Sequence, residues 1–342
     1  MTDFAQEGDC FPPPLLPPPL KRPALTGQGV FMLVGRYLFH CQFTSPAVLP
    51  AFKGSMLRGA FGHALKKVAC ALRRRSCADC LLSTTCVYSL IFEPHIIPPD
   101  NGNTKTSSRP HPYVLQPPAD NRRAFGEGDA FTFGLTLFGT ANDFLPHIVY
   151  AVEQMGETGL GRAGDKGRGR FALAAVDTGG ATLYDGGKKI LAHGRPLPGL
   201  ELQPPPVGPV SSFSVKLLTP LRLKHDNHFQ QTLPFHLLIR AALRRIAGLE
   251  EAFGQGEPPL DYRGLVRRAG QVVTRESDCS WVDIERYSNR QQTGMLMGGL
   301  QGELVYEGEL GEFLPLLRYC EVTHLGKQTA FGLGRVEVFE SK

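Results

Sequence analysis

Slightly past its middle the chain contains a stretch that no helix or central strand can cross. Gly194-Arg-Pro-Leu-Pro-Gly199 is followed, after four intervening residues, by Pro204-Pro-Pro-Val-Gly-Pro209. Proline has no N–H to give to a ladder or a helix, and its ring fixes φ. Two stretches of similar length remain, each about the size of an ordinary domain. An earlier run, Phe11-Pro-Pro-Pro-Leu-Leu-Pro-Pro-Pro-Leu-Lys-Arg-Pro23, has the same character and reads as a polyproline-like lead-in. The organisation expected is a Pro-rich disordered leader over 1–28, an N-terminal domain over 29–193, a Pro/Gly linker over 194–210 and a C-terminal domain over 211–342.

Hydrophobic periodicity repeats in the two halves. In the first, Tyr37, Phe39, Cys41 and Phe43 alternate with polar neighbours, as in a half-buried strand. Leu57, Ala60, Phe61, Ala64, Leu65, Val68 and Leu72 then form one apolar stripe at helical spacing, with Arg58, His63, Lys66, Lys67, Arg73 and Arg74 on the remaining faces. An outer strand is expected near 88–95 and another over Phe131–Leu137; Asn142 is expected to cap a second helix with the stripe Leu145, Ile148, Val152 and Met155, before a strand over Phe171–Val176.

The second half reads as strand Phe213–Leu218, helix Phe235–Leu249, strands near Trp281–Tyr287 and Leu300–Tyr306, helix Leu310–Leu317 and strand Arg335–Phe339. Both halves thus read β-α-β-β-α-β, the α+β order of a ferredoxin-like (RRM-like) domain, in tandem. The clearest internal echo is Gly159-Leu-Gly-Arg162, returning as Gly332-Leu-Gly-Arg335 after the second helix of its half.

Composition narrows the function classes. Gly 39 and Pro 28 favour many short elements over a helical bundle, and a mean hydropathy of −0.14 with no long apolar run argues against a membrane helix. The first residues are acidic and lack the apolar core of a secretory signal, so a cytoplasmic setting with reduced thiols is expected. Lys+Arg 37 against Asp+Glu 32 gives a net charge of +5, which permits a polyanionic partner without requiring one.

Gly159-Leu-Gly161-Arg-Ala-Gly164 has the form of a dinucleotide-binding loop but lies after a helix, not between a strand and a helix, so no nucleotide cofactor is expected. Two readings of the glycine loops stay open: plain turns, or backbone that approaches phosphates with Arg162, Lys166, Arg168 and Arg170 beside the first and Lys327 and Arg335 beside the second. Arg286-Tyr287-Ser-Asn-Arg290 can stack a base and hold its phosphate, or be a solvated strand end.

Cys70, Cys77, Cys80 and Cys86 lie in one short insertion at 70–86, with a spacing that can close a thiolate tetrahedron around a structural zinc. Two disulfides, unrelated thiols or an iron–sulfur cluster are the alternatives. No metalloprotease helix motif and no nucleophile elbow occurs. His63 stands out among ten histidines because Lys67 follows one turn on, which makes it either a solvated helix face or a proton-transfer group among cations.

Several segments together resemble the CRISPR-associated endoribonuclease family of the RAMP superfamily, which processes precursor CRISPR RNA. They are Phe52-Lys-Gly-Ser-Met-Leu-Arg-Gly-Ala-Phe-Gly-His-Ala-Leu65, Cys70 to Tyr88, Phe92-Glu93, Met155 to Gly161, Leu218 to Lys224, Arg286 to Gln291 and His324 to Arg335. The resemblance implies two ferredoxin-like domains that bind CRISPR repeat RNA across a basic cleft. It further implies metal-independent cleavage by the ribose 2′-OH, giving a 2′,3′-cyclic phosphate and a 5′-OH, with crRNA and effector-complex subunits as partners and no membrane. On that basis His63 is the candidate base and Lys67 its electrostatic partner, with His40 and Tyr37 as alternates. The RNA contacts expected are Arg58, Arg74, Gly159, Gly161, Arg162, Lys166, Arg168, Arg170, Arg286, Tyr287, Arg290, Lys327, Gly332, Gly334 and Arg335. A non-catalytic RNA-binding scaffold subunit of an interference complex is the competing function.

Overall fold

The computed structural model describes residues 31–72, 75–96, 109–164, 167–192, 197–226, 228–288 and 293–340. Its first half is built from β1 (Phe31–Phe43), α1 (Gly54–Ala69), α2 (Val87–Phe92), β2 (Tyr113–Gln116), β3 (Ala130–Phe138), α3 (Leu145–Thr158), β4 (Phe171–Thr178) and β5 (Ala181–Asp185). The second half comprises β6 (Ser212–Leu221), α4 (Phe235–Phe253), α5 (Tyr262–Ala269), β7 (Val273–Val282), β8 (Gly299–Glu307), α6 (Leu314–Thr323) and β9 (Val336–Glu340).

In the first sheet the main strands lie in the order β4-β1-β3-β2, every neighbour antiparallel, and β5 extends the sheet beyond β4. The second sheet runs β7-β8-β6-β9, again antiparallel throughout. Each half therefore has the strand order of a ferredoxin-like fold, and the tandem arrangement expected from the periodicity is present. No helix among the described residues is long and apolar enough to cross a membrane.

The alternation along β1 decides which face is covered. Tyr37, Phe39, Cys41 and Phe43 are buried against the helical layer of α1 and α3, where the α1 stripe supplies Leu57, Phe61, Ala64 and Leu65. On the opposite face Met32 and Val34, with Val114 and Phe138, belong to the core of the second half. The outer face of the first sheet thus packs against the second half near one end, and Arg245 of α4 lies 5.9 Å from the Phe138 ring.

Several local expectations are corrected. The segment near 88–95 is not a strand: Val87–Phe92 is a helix, because its apolar residues pack at helical spacing, with Phe92 5.3 Å from Phe61 and 5.6 Å from Tyr113. The outer strand is Tyr113–Gln116, whose Tyr113, Val114 and Leu115 are all buried because both of its faces are covered, so it shows no alternation. Asn142 caps no helix. It is buried in a 3₁₀ turn, where it accepts a hydrogen bond from Tyr37 Oη (2.9 Å) and donates to Gly139 O (2.8 Å), and α3 starts at Leu145. The strand expected at Trp281–Tyr287 is divided: its start is the end of the sheet strand Val273–Val282, and Glu285–Ser288 is a separate strand paired with Thr293–Leu296; the last helix lies later, at Leu314–Thr323. Strand β7 is an exposed edge rich in charge, so it carries no apolar alternation.

Candidate nucleic-acid interface

The two glycine-rich loops correspond at their two ends, in a register different from the tetrapeptide echo. Helix α3 ends at Thr158 and α6 at Thr323, and the last strands begin at Phe171 and Val336, an offset of 165 residues at both ends. At that offset Gly159-Leu160-Gly161-Arg162 corresponds to His324-Leu325-Gly326-Lys327, and Gly167, Gly169 and Arg170 correspond to Gly332, Gly334 and Arg335. The backbone agrees: φ is 80° at Gly161 and 76° at Gly326, and 85° at Gly167 and 89° at Gly332. Leu160 pairs with Gly169 just as the Leu325 amide donates to Gly334 O at 2.8 Å. Residues 332–335 are thus the far side of the second loop, not its start.

The second loop reaches across to the first half. A Cβ on Gly332 would lie 2.4 Å from Pro117 Cδ, and one on Gly54 at the start of α1 would lie 2.0 Å from Phe331 O. Glycine at both positions lets the two halves make backbone contact. Between these contacts Phe331 presents its ring to two arginines: the Arg58 guanidinium from α1 is 4.4 Å from the ring centroid and that of Arg286 is 4.8 Å away. Arg58 also lies 5.3 Å from Phe92.

Both Nε atoms are buried without a hydrogen-bond partner, and among the described residues neither arginine forms an ion pair with a carboxylate. Burial, and then the charge of Arg58, weaken the hold of Arg286 on its proton. Two cations from two halves of the chain share one aromatic ring, Arg286 Nη1 pointing to Met297 Sδ (3.9 Å), a set that suits a phosphate oxygen lying beside it.

Lys327 is exposed at the rim while its amide donates to Arg222 O (2.9 Å), and Arg335 reaches Glu337 (3.2 Å). Around the first loop Arg162, Arg168 and Arg170 are exposed. Gly159 and Gly161 there are held by close backbone approach: a Cβ on Gly161 would meet Val48 O at 2.2 Å. Arg74, Lys166 and Arg290 lie outside the described residues, as does the side chain of Tyr287, whose backbone pairs with Gly294 in a hairpin. Of the other arginine pairs, Arg245 is spent on Thr323 O (2.7 and 3.1 Å) and Arg268 on Glu312 (2.7 and 2.8 Å).

The candidate catalytic residues separate. His63 and Lys67 are exposed on one side of α1, and the Lys67 ammonium donates to Gln154 Oε1 of α3 (3.2 Å). Five residues of helix place His63 about 140° round the axis from Arg58. His40 lies on the opposite face of the first sheet from α1, bonded to Asp177 Oδ2 (2.9 Å) and 3.5 Å from Thr132 Oγ1. Tyr37 is a core residue, 3% exposed, and burial raises its hydroxyl far above the ordinary range. Phe331 was not singled out by sequence reasoning; an aromatic inside a glycine-rich loop was the available signal.

The cysteines do not form the expected tetrahedron. Cys70 ends α1 and Cys86 precedes α2, while the described residues between them, 71–72 and 75–85, lie in turns and bends; all four thiols are free and partly exposed. Cys86 Sγ points to Ala69 O (4.0 Å). Among the described residues no three Cys, His, Asp or Glu side chains gather as a metal set, so the donor arrangement does not fit a closed zinc site.

Residues 31–196 match a family model described as an N-terminal domain, and residues 215–336 match that of the CRISPR-associated endoribonuclease Cas6. An uncharacterized protein of Archaeoglobus fulgidus is 27% identical over 291 residues, 84% of this chain and 91% of that one. Among solved structures, a partial Cas6-RT-Cas1–Cas2 complex is similar with TM-score 0.55 and 13% identity. The match covers 91% of this chain but 46% of that one, so this chain spans about half its length. Thermus thermophilus Cas6 is similar with TM-score 0.52 and 13% identity, covering 90% of this chain and 99% of that one. At such identities these structures speak for the tandem fold.

Proposed function

We propose that this chain, whose residues 215–336 match the Cas6 endoribonuclease family model, binds CRISPR repeat RNA at the junction of its halves and cleaves precursor crRNA. The observation that carries RNA binding is the pair Arg58 and Arg286 from the two halves, 4.4 and 4.8 Å from the Phe331 ring centroid, with both Nε atoms left without a partner. A single-stranded RNA segment supplies the partner this cluster lacks, a phosphate for the guanidinium groups.

Cleavage in this reading uses the nucleophile already present in the substrate. A base removes the 2′-OH proton, the oxygen attacks the adjacent phosphorus, and the 5′ oxygen leaves after taking a proton, giving a 2′,3′-cyclic phosphate and a 5′-OH. An internal nucleophile does not need a metal-activated water. His63 is the candidate base, and Lys67 one turn on stabilises the charge that builds on the phosphorane oxygens.

The competing reading, a non-catalytic RNA-binding subunit, is favoured by one observation: among the described residues no hydrogen bond orients the His63 ring. Labelled repeat RNA incubated in EDTA, beside a copy with a 2′-deoxy sugar at the mapped cut, separates the two. Cleavage that resists EDTA, ends in a cyclic phosphate and is lost on the deoxy copy is expected; tight binding without cleavage would establish the scaffold instead.

A further inference from the structure

The matched loops differ at one position where the backbone asks for glycine in both. Gly159 ends α3 with φ 80° and ψ 161°, and its counterpart His324 ends α6 with φ 55° and ψ 162°. That region of backbone space is essentially reserved for glycine, and a side chain there is strained. His324 is nonetheless fully buried.

Its side chain spans the base of the loop. Nδ1 lies 3.2 Å from Leu333 O, and because a carbonyl only accepts, Nδ1 carries the hydrogen. Leu333 is the counterpart of Arg168, whose backbone oxygen lies 2.9 Å from where a Cβ on Gly159 would sit. The same gap is closed by backbone packing in the first half and by an imidazole in the second. Next to it the Leu325 amide donates to Gly334 O, and Arg245 of α4 fixes the last carbonyl of α6 at Thr323. The loop held at this base carries Lys327 at the rim and Phe331 beside Arg58 and Arg286. Among the described residues of the first-half loop no side chain makes such a bond.

We propose that His324 is a positioning residue for RNA binding: its Nδ1–H bond to the Leu333 carbonyl locks the 325–334 loop so that Phe331 and Lys327 are presented preformed. The strained backbone is retained because glycine would remove the pin. This inference rests on the reading of the Arg58–Phe331–Arg286 junction as the RNA interface.

The test compares wild-type protein with His324→Gly, His324→Leu and His324→Asn. Three quantities are measured: thermal midpoint, hydrogen exchange of the 325–334 amides without RNA, and affinity and cleavage kinetics with repeat RNA. His324→Gly relaxes the backbone and is expected to keep a cooperative unfolding transition. Both it and His324→Leu lose about tenfold in loop protection and about tenfold in RNA affinity, as for one buried hydrogen bond, with the loss falling on KM more than on kcat. His324→Asn, whose amide N–H replaces Nδ1–H, stays within about twofold of wild type. Should His324→Gly not fold, the Leu and Asn variants decide the matter alone. Wild-type protection and affinity in His324→Leu, or equal losses in the Leu and Asn variants, would overturn the proposal. If wild type binds no repeat RNA, the interface reading fails, and the exchange data still judge the pin.

Discussion

The guanidinium of Arg58, in the first half of the chain, lies 4.4 Å from the ring centroid of Phe331, in the second. Neither half holds both members of this contact, so it exists only when the closing loop is seated on α1. Replacing Phe331 with Ala is expected to weaken repeat-RNA binding about tenfold by removing the ring that seats both guanidinium groups. Arg58→Ala and Arg286→Ala should each lower the slope of log affinity against log salt by about 0.7 to 0.9, the share of one phosphate contact. Fluorescence anisotropy titrations at several salt concentrations check both; an unchanged slope in both variants would remove the phosphate assignment.

His63 and His40 are divided by the first sheet, so their variants should behave differently. His63→Ala is expected to slow single-turnover cleavage by about 10² to 10⁴ while leaving RNA affinity near wild type, the pattern of a lost general base. His40→Ala should cleave normally, because His40 is tied to Asp177 on the far face. The reverse ranking would move the reaction centre to that face.

Two glycines test how far close approach governs the fold. A Cβ on Gly334 would lie 1.8 Å from Leu325 O, at a φ of 71°, so Gly334→Ala should lower the thermal midpoint sharply. Gly59, exposed in the middle of α1 with nothing near its Cβ position, should accept alanine with a gain of about 1 kcal/mol in stability. Thermal unfolding of the two variants measures both effects.

Acid stability follows from two histidines held neutral. Burial, and then the charge of Arg58, push His111 down to about 4, and burial pushes His324 down to about 3, from an ordinary 6.5. Below 6.5 the unfolded chain takes up protons that the folded chain refuses, so stability falls as pH falls, by about 1.4 kcal/mol per pH unit per group. Denaturant titrations between pH 7 and pH 4 should show this loss, and His324→Leu should reduce its slope.

Read alone, the chain established whatever depends on local periodicity. The alternation of Tyr37, Phe39, Cys41 and Phe43 and the helical stripe from Leu57 to Val68 name their own elements, because one face of each is buried and the other is not. Elements that break this rule were misplaced: β2, covered on both faces, and β7, exposed from Val273 to Asp278, show no clear period, and Asn142 serves a buried tyrosine instead of a helix end. The loop register escaped for another reason. Identity at Gly159-Leu-Gly-Arg162 and Gly332-Leu-Gly-Arg335 is a match of letters, while the equivalence of Gly159 with His324 is a match of backbone angles that glycine and histidine reach at different cost. Arg58, Arg286 and Phe331 were separately legible as a basic helix flank, a strand end and part of a glycine loop. Only the tertiary structure decided that they meet, because residues more than two hundred positions apart are joined by the packing of one half on the other, which no local pattern records.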